Sequence, residues 1–406
     1  MQSTIKPTEQ NTAAISRTVY PILFSICFAH LLNDLLQSVI PSIYPMVKDS
    51  YRLTFSQIGW ITFTFQLTAS ILQPFVGNYT DKRPKPYSFA IGMAFTFMGI
   101  ILLALSSGFY SLLMSVACVG IGSSIFHPEA SKVAYYASGG RRGLAQSIFQ
   151  LGGNSGSAIG PLLVAAIVIP HGQFYILWFL IAAIIGMIVL VNVGKWYKGH
   201  LFLRSQGKIG SIEQKQELPK HKIILSIVIL LVLIFSKYFY LTSITSYFTF
   251  YLMDKFHLTV PESQFHLFLF LASVAAGTFL GGPLGDRFGR KIIIWVSILG
   301  IAPFTLLLPH VNLFWTSILS VIIGVIMASA FSAILVYAQE LLPGKVGMIS
   351  GLFFGFAFGI AGIGSALLGH LADQTSISYV FNICAFLPLL GIITGFLPNI
   401  KSKRRT

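Results

Sequence analysis

Four polar residues near the start of the chain, His30, Asn33, Asp34 and Gln37, fall at i, i+3, i+4 and i+7 within an otherwise apolar stretch. That spacing puts all four on one face of a helix. A carboxylate and an imidazole one turn apart can pass a proton between them, and the two amides can hold either group in place. An ionisable side chain inside a bilayer costs roughly 3 kcal/mol or more, so the stripe belongs toward a cavity rather than lipid. Asp34 is the candidate proton carrier, with His30 tuning it; the alternative is a hydrogen-bond cluster that only joins helices.

Further along, Phe126-His127-Pro128-Glu129-Ala130-Ser131 interrupts a second apolar stretch. His127 shares a face with Ser123, Ser124 and Ser131, which makes it a candidate for the cavity. Glu129 points nearly the opposite way and has Lys132 three residues on, so it reads either as a second proton-coupling group or as a locked ion pair. Gln146, Gln150, Asn154 and Ser157 recur at helical spacing, as do Thr62, Gln66, Ser70 and Gln73. These uncharged groups suit a hydrophilic solute, or equally serve as glue between helices. Lys237, followed by Tyr240, lies deep in another apolar stretch and needs an anion: Asp34, Glu129 or an anionic solute that displaces them. No pair such as H-x-x-x-H is present, so no metal site is expected. Cys27, Cys118 and Cys384 stand apart in apolar segments and make neither a disulfide framework nor a metal site.

The elements that carry these residues follow from composition. With 55% hydrophobic and only 10% charged residues in 406, the chain has far more apolar surface than a soluble protein can hide. About a dozen segments are long enough to span a bilayer as helices. They begin near residues 19, 54, 86, 109, 142, 174, 222, 262, 291, 311, 346 and 376. The expected fold is an all-α integral membrane protein of twelve helices in two six-helix bundles. Residues 1–194 form the first bundle, 195–221 a polar linker, and 222–406 the second bundle with a basic tail.

The net charge of +15 is one-sided. Lys82, Arg83, Lys85, Lys132, Arg141, Arg142, the linker lysines and the tail fall on one side, against Lys48, Arg52 and Lys255 on the other. The positive-inside rule puts both termini in the cytoplasm and accounts for the charge without any nucleic acid. Residues 1–16 lack the pattern of a cleaved leader, so the first helix reads as an uncleaved anchor. The connections are short and leave no room for a catalytic domain.

A motif occurs twice, half a chain length apart: Gly77-x-x-x-Asp81-Lys82-Arg83, and Gly282-x-x-x-Asp286-Arg287 with Arg290 and Lys291 beyond it. Each copy sits in a turn between two apolar segments, so the chain is a duplicated six-helix carrier. Gly152, Gly156 and Gly160 recur every fourth residue and Pro161 follows; Gly351, Gly355 and Gly359 repeat the spacing in the other half. Such a face lets two helices approach backbone to backbone.

On these residues the chain resembles the major facilitator superfamily over its whole length. The resemblance implies a latch on the cytoplasmic side, in which Asp81 and Asp286 engage a helix N-terminus and basic partners, Arg83, Arg287 and Arg290 among them. Pro84 stands where the family's first motif has a second glycine. The run Gly152, Gly156, Gly160, Pro161 resembles an element of proton-coupled drug antiporters. His30-x-x-Asn33-Asp34, the string from Phe126 to Ser131, Arg141-Arg142-Gly143 and Gln150-x-Gly152-Gly153-Asn154 together resemble the fosmidomycin-resistance branch of bacterial efflux carriers. That branch implies export of small phosphonate antibiotics, fosfomycin or fosmidomycin, across the bacterial inner membrane in exchange for protons. It implies no cofactor, since the proton gradient supplies the energy. The expected partners are the solute, protons and the lipid bilayer, and a complete pathway in one chain implies a monomer. Two other readings stand beside it: proton-coupled uptake of an organic anion or sugar, and a membrane-embedded lipid-modifying hydrolase using His127 and Glu129.

Overall fold

Lipid offers a backbone no hydrogen-bond partner, so each long apolar segment closes its own bonds as a helix. The computed structural model describes residues 18–53, 55–206, 218–258 and 260–398, and these are helical nearly throughout. The first half contributes α1 (Tyr20–Ser42), α2 (Phe55–Lys82), α3 (Ser88–Ala104), α4 (Phe109–Ala137), α5 (Arg142–Leu163) and α6 (Leu180–Ser205). The second contributes α7 (Lys220–Phe256), α8 (Val260–Phe288), α9 (Arg290–Ile298), α10 (Leu313–Ala328, continued by Ala330–Leu341), α11 (Val346–Gln374) and α12 (Ile377–Cys384, continued as a 3-10 helix over Leu387–Phe396). Their starts lie within a few residues of the expected ones. Among the described residues, nine helical stretches are long and apolar enough to cross a bilayer unaided. The other three are α3, which is short, and α2 and α5, whose polar faces lower their hydropathy.

One boundary differs from expectation. α6 runs on to Ser205, so residues 195–205, expected in the linker, continue the helix with Tyr197 and His200 buried beneath Lys195 and Lys198. The remainder of the linker, 207–217, lies outside the described residues, as do the polar start, 1–17, and the basic tail, 399–406.

Packing follows the small residues. α5 lies along α1, where a Cβ on Gly152 or Gly156 would overlap the carbonyls of Cys27 or Leu31. α11 lies along α2 of the other half, where Gly351 and Gly355 rest on the carbonyls of Gln73 and Ser70. α5 also meets α8, which joins the halves a second time. Beyond Pro161, α5 passes into a π-helical turn at Val164–Val168, a local irregularity of the kind that bends helices. One apolar core runs from the first bundle through Ile229–Ile234 of α7 to Phe331, Phe353 and Phe354, so the halves share it at their cytoplasmic ends. A separate core holds Tyr240, Ile244, Phe248 and Tyr251 of α7 against Phe381. Large apolar side chains such as Phe24, Trp60, Phe75 and Ile188 remain exposed, as lipid contact requires.

Candidate functional site

The α1 stripe meets α4 at its polar point. His30 and Asp34, one turn apart, bring Nε2 and Oδ2 to 3.3 Å. From α4, His127 Nε2 stands 3.5 Å from Asp34 Oδ1 and 3.3 Å from His30 Nε2. Each ring is held by its other nitrogen: His30 Nδ1 donates to the Phe149 carbonyl at 2.7 Å, and His127 Nδ1 to the Ser123 carbonyl at 3.0 Å. The amides of Asn33 and Gln37 donate to Asp34 Oδ1 at 3.1 and 3.2 Å. Both rings are buried, whereas the Asp34 side chain keeps 16% of its surface.

Sequence dictates why the rings fit. Gly153 faces this point from α5, and Phe149 one turn earlier stacks on His30 with centroids 4.0 Å apart. From the other half, Phe354 and Phe358 of α11 each lie 5.3 Å from the His127 ring. The triad therefore belongs to the first bundle but is roofed by the second. Although no metal site was expected, His30, Asp34 and His127 form a group of three donors able to hold a metal ion.

Other expected groups lie elsewhere. Lys237 does not reach Asp34 or Glu129. Its ammonium sits 5.4 Å from the Phe331 ring centre and 5.5 Å from that of Tyr238, and no carboxylate among the described residues pairs with it. The reason is that both candidate anions are already engaged. Asp34 faces the two histidines, and Glu129 is fully buried with Lys132 Nζ at 2.6 Å, the Thr80 hydroxyl against it and Ser88 Oγ at 3.2 Å. Glu129 thus stands apart from the triad, on the opposite face of α4. Gln37 braces Asp34; Asn154 donates to Thr278 of α8 at 2.9 Å across the halves. Gln150 is buried and its side-chain oxygen has no protein partner among the described residues, as is true of Asn33. Gln66 lies half-buried against Gly362 of α11, while Tyr240 is buried in the core of the second half rather than beside the triad.

At the cytoplasmic ends the two motif copies make matching ties. Asp81, at the end of α2, accepts from the backbone N–H groups of Gly347 and Met348 at 3.0 and 2.8 Å, the first turn of α11. Asp286, at the end of α8, accepts from Gly143 and Leu144 at 3.1 and 3.0 Å, the first turn of α5. Each carboxylate meets the positive end of a helix in the opposite half. Gly77 is required because its backbone packs directly on Gly347. Of the expected cations, Arg290 is in place and the other two are not. Lys132 pairs with Asp81 at 3.0 Å and Arg290 with Asp286 at 3.2 Å, while Arg83 and Arg287 point to solvent. Arg290 and Arg142 also share Glu340 at 3.0 and 3.2 Å. Glu340 was missed: it lies on α10 and joins the second tie through Arg290, as Glu129 joins the first through Lys132. A cavity of about 410 Å³ opens beside Asp81 and Lys132, lined also by Tyr136, Tyr197 and Arg204.

Comparison with known proteins agrees with this architecture. The model of the Major Facilitator Superfamily matches residues 26–251 and again 230–406. The fosmidomycin resistance protein of Escherichia coli (strain K12) is 58% identical over 389 residues, 96% of this chain and 95% of that one. An uncharacterized MFS-type transporter of Bacillus subtilis (strain 168), YfnC, is 43% identical over 95% of each chain. Among solved structures, the transporter FucP in the outward conformation superposes with a TM-score of 0.72 at 14% identity, over 94% of this chain and all of that one. The human organic anion transporter MFSD10 gives the same TM-score at 15% identity, with the same coverage, and both show likeness of fold alone. With two repeats covering the chain and a relative this similar over its length, the protein is a multi-pass membrane transporter rather than an enzyme, and it belongs to the major facilitator superfamily.

Proposed function

We propose that this transporter exports small phosphonate antibiotics of the fosmidomycin and fosfomycin kind from the cytoplasm in exchange for protons, working as a monomer in a bacterial inner membrane. The observation that carries the reading is the 58% identity over 96% of the chain to a protein named for fosmidomycin resistance. The site is suited to it in kind. A phosphonate anion needs a cation to replace its water, and Lys237 is a buried ammonium that, among the described residues, lies against aromatic faces without a carboxylate. A proton needs a buried anion, and Asp34 is one. The two ties through Asp81 and Asp286 correspond to a state closed to the cytoplasm, in which Asp34 takes up a proton from outside. Protonation turns the carboxylate from an acceptor into a donor toward the facing imidazoles and so alters the packing of α4 against Phe354 and Phe358, which belong to the other half. That packing is the proposed route by which proton uptake biases the two bundles.

The test is susceptibility of a pump-deficient bacterium expressing the chain, against phosphonates and against bulky hydrophobic drugs, with Asp34→Asn alongside. Resistance confined to phosphonates and lost in Asp34→Asn is expected. Resistance to hydrophobic drugs, or full resistance in Asp34→Asn, would overturn the reading.

A further inference from the structure

Three electron-pair donors converge where α1, α4 and α5 meet. A backbone carbonyl oxygen only accepts, so the contacts to Phe149 at 2.7 Å and Ser123 at 3.0 Å place a proton on Nδ1 of His30 and of His127. The Nε2 atoms are left to face each other at 3.3 Å, with Asp34 Oδ2 3.3 Å from that of His30 and Asp34 Oδ1 3.5 Å from that of His127. Lone pairs so placed must share a proton or a metal ion, and the three side chains are arranged to give theirs to either. One ligand atom from each of the three side chains lies within 4.8 Å of the others, a cluster tight enough to converge on a single ion of the zinc class. The outer contacts match a metal site as well. Each histidine gives its Nδ1–H to a backbone carbonyl, and the carboxylate is braced by Asn33 and Gln37. Space is reserved by Gly153, where a Cβ would stand 2.5 Å from His30 Nε2 and 2.7 Å from Asp34 Oδ2.

We propose that His30, Asp34 and His127 bind a first-row divalent metal ion of the zinc class, three protein ligands leaving one position open, and that the metal blocks transport. Binding stands on the geometry alone; blockage rests on the proton-exchange reading above. The metal reaches the triad through Asp34, the one partly exposed member. Glu129 and Lys132 on the far face of α4 are committed to one another, and Lys237 lies beyond two phenyl rings, so neither competes for the site.

The experiment titrates zinc chloride into the purified full chain in lipid nanodiscs, reads affinity by competition with a chelator, and records X-ray absorption at the zinc edge of the loaded protein. One zinc per chain is expected, with two imidazoles and oxygen at about 2.0–2.1 Å. Affinity should fall at least ~10-fold in Asp34→Asn, and similarly in Gly153→Ala, which keeps every ligand and fills the space. It should be unchanged when the exposed His171 and His310 are replaced by Gln. Absence of stoichiometric binding, a spectrum with fewer than two imidazoles, or loss of affinity only in the His171 and His310 variants would overturn the site. If a triad variant does not fold, the spectrum of the unaltered chain decides. Zinc held by the triad without slowing export would uphold the site and overturn the proton-exchange reading instead.

Discussion

Lys237 and His127 are linked by a chain of two phenyl rings. Its ammonium lies 5.4 Å from the Phe331 centroid, Phe331 meets Phe354 edge-on at 5.1 Å, and Phe354 lies 5.3 Å from the His127 ring. The cation suited to an anionic solute and the carboxylate suited to a proton are therefore separate sites joined by aromatic packing.

Separation predicts separable defects. Lys237→Ala should raise the KM for phosphonate at least ~10-fold, about 1.4 kcal/mol of binding, while the reconstituted protein still releases protons when its pH gradient is imposed. Transport in proteoliposomes with an internal pH dye checks both. An equal loss of solute affinity in Lys237→Ala and Asp34→Asn would mean that the two sites are one.

Glu129 and Asp34 should part company in the same assay. Asp34→Asn is expected to abolish proton-driven export, whereas Glu129→Gln keeps coupling because Glu129 does not touch the triad. Its cost is stability: Lys132 loses a buried anion and keeps Asp81 and the Thr80 hydroxyl, a loss of a few kcal/mol at most. A lower Tm with intact substrate-driven proton flux is the outcome sought.

The cytoplasmic ties give a conformational prediction. Asp81→Asn replaces two charge-assisted bonds by one neutral one, weakening that tie by about 1–3 kcal/mol. Spin labels on the exposed positions Lys198 and Lys345 should then report a longer cytoplasmic distance in a larger share of molecules. An unchanged distance distribution would show that Asp81 does not hold the halves together.

The glycine face offers a paired control. Gly156→Ala forces a Cβ into the Leu31 carbonyl, and overpacking of this kind costs about 1–3 kcal/mol, whereas Gly199→Ala meets nothing within 4 Å and gains helix propensity. Melting of the purified variants should fall for the first and hold or rise for the second. Equal melting would mean that α1 and α5 are not in close contact.

How much of this was legible depends on the range of each interaction. The helices announced themselves through apolar runs bounded by charge, glycine or proline, and α4, α5 and α11 begin at the expected residues 109, 142 and 346. The stripe His30, Asn33, Asp34, Gln37 was legible because a helix brings i and i+4 together whatever surrounds it. That His127 completes the triad was not, since it depends on how closely α4 approaches α1, which Gly153 and Phe149 decide. The partner of Lys237 was misjudged for the same reason: charge demands an anion, but only the rotation of α7 reveals that it faces rings. Two of the latch cations, Arg287 and Arg83, failed on a shorter scale. Arg287 follows Asp286 by one residue and Arg83 follows Asp81 by two, and a helix turns such neighbours away from one another. Arg290, four residues after Asp286, falls back over it, and Lys132 arrives from another helix.

The two ties have a mechanical consequence. Each half supplies one carboxylate and one helix N-terminus, so neither bundle is lock and the other key. Undoing one tie leaves its mirror image as a pivot, about which the bundles can swing without parting. The cytoplasmic door therefore carries two bolts, one thrown from each side, and drawing both is what a full opening requires.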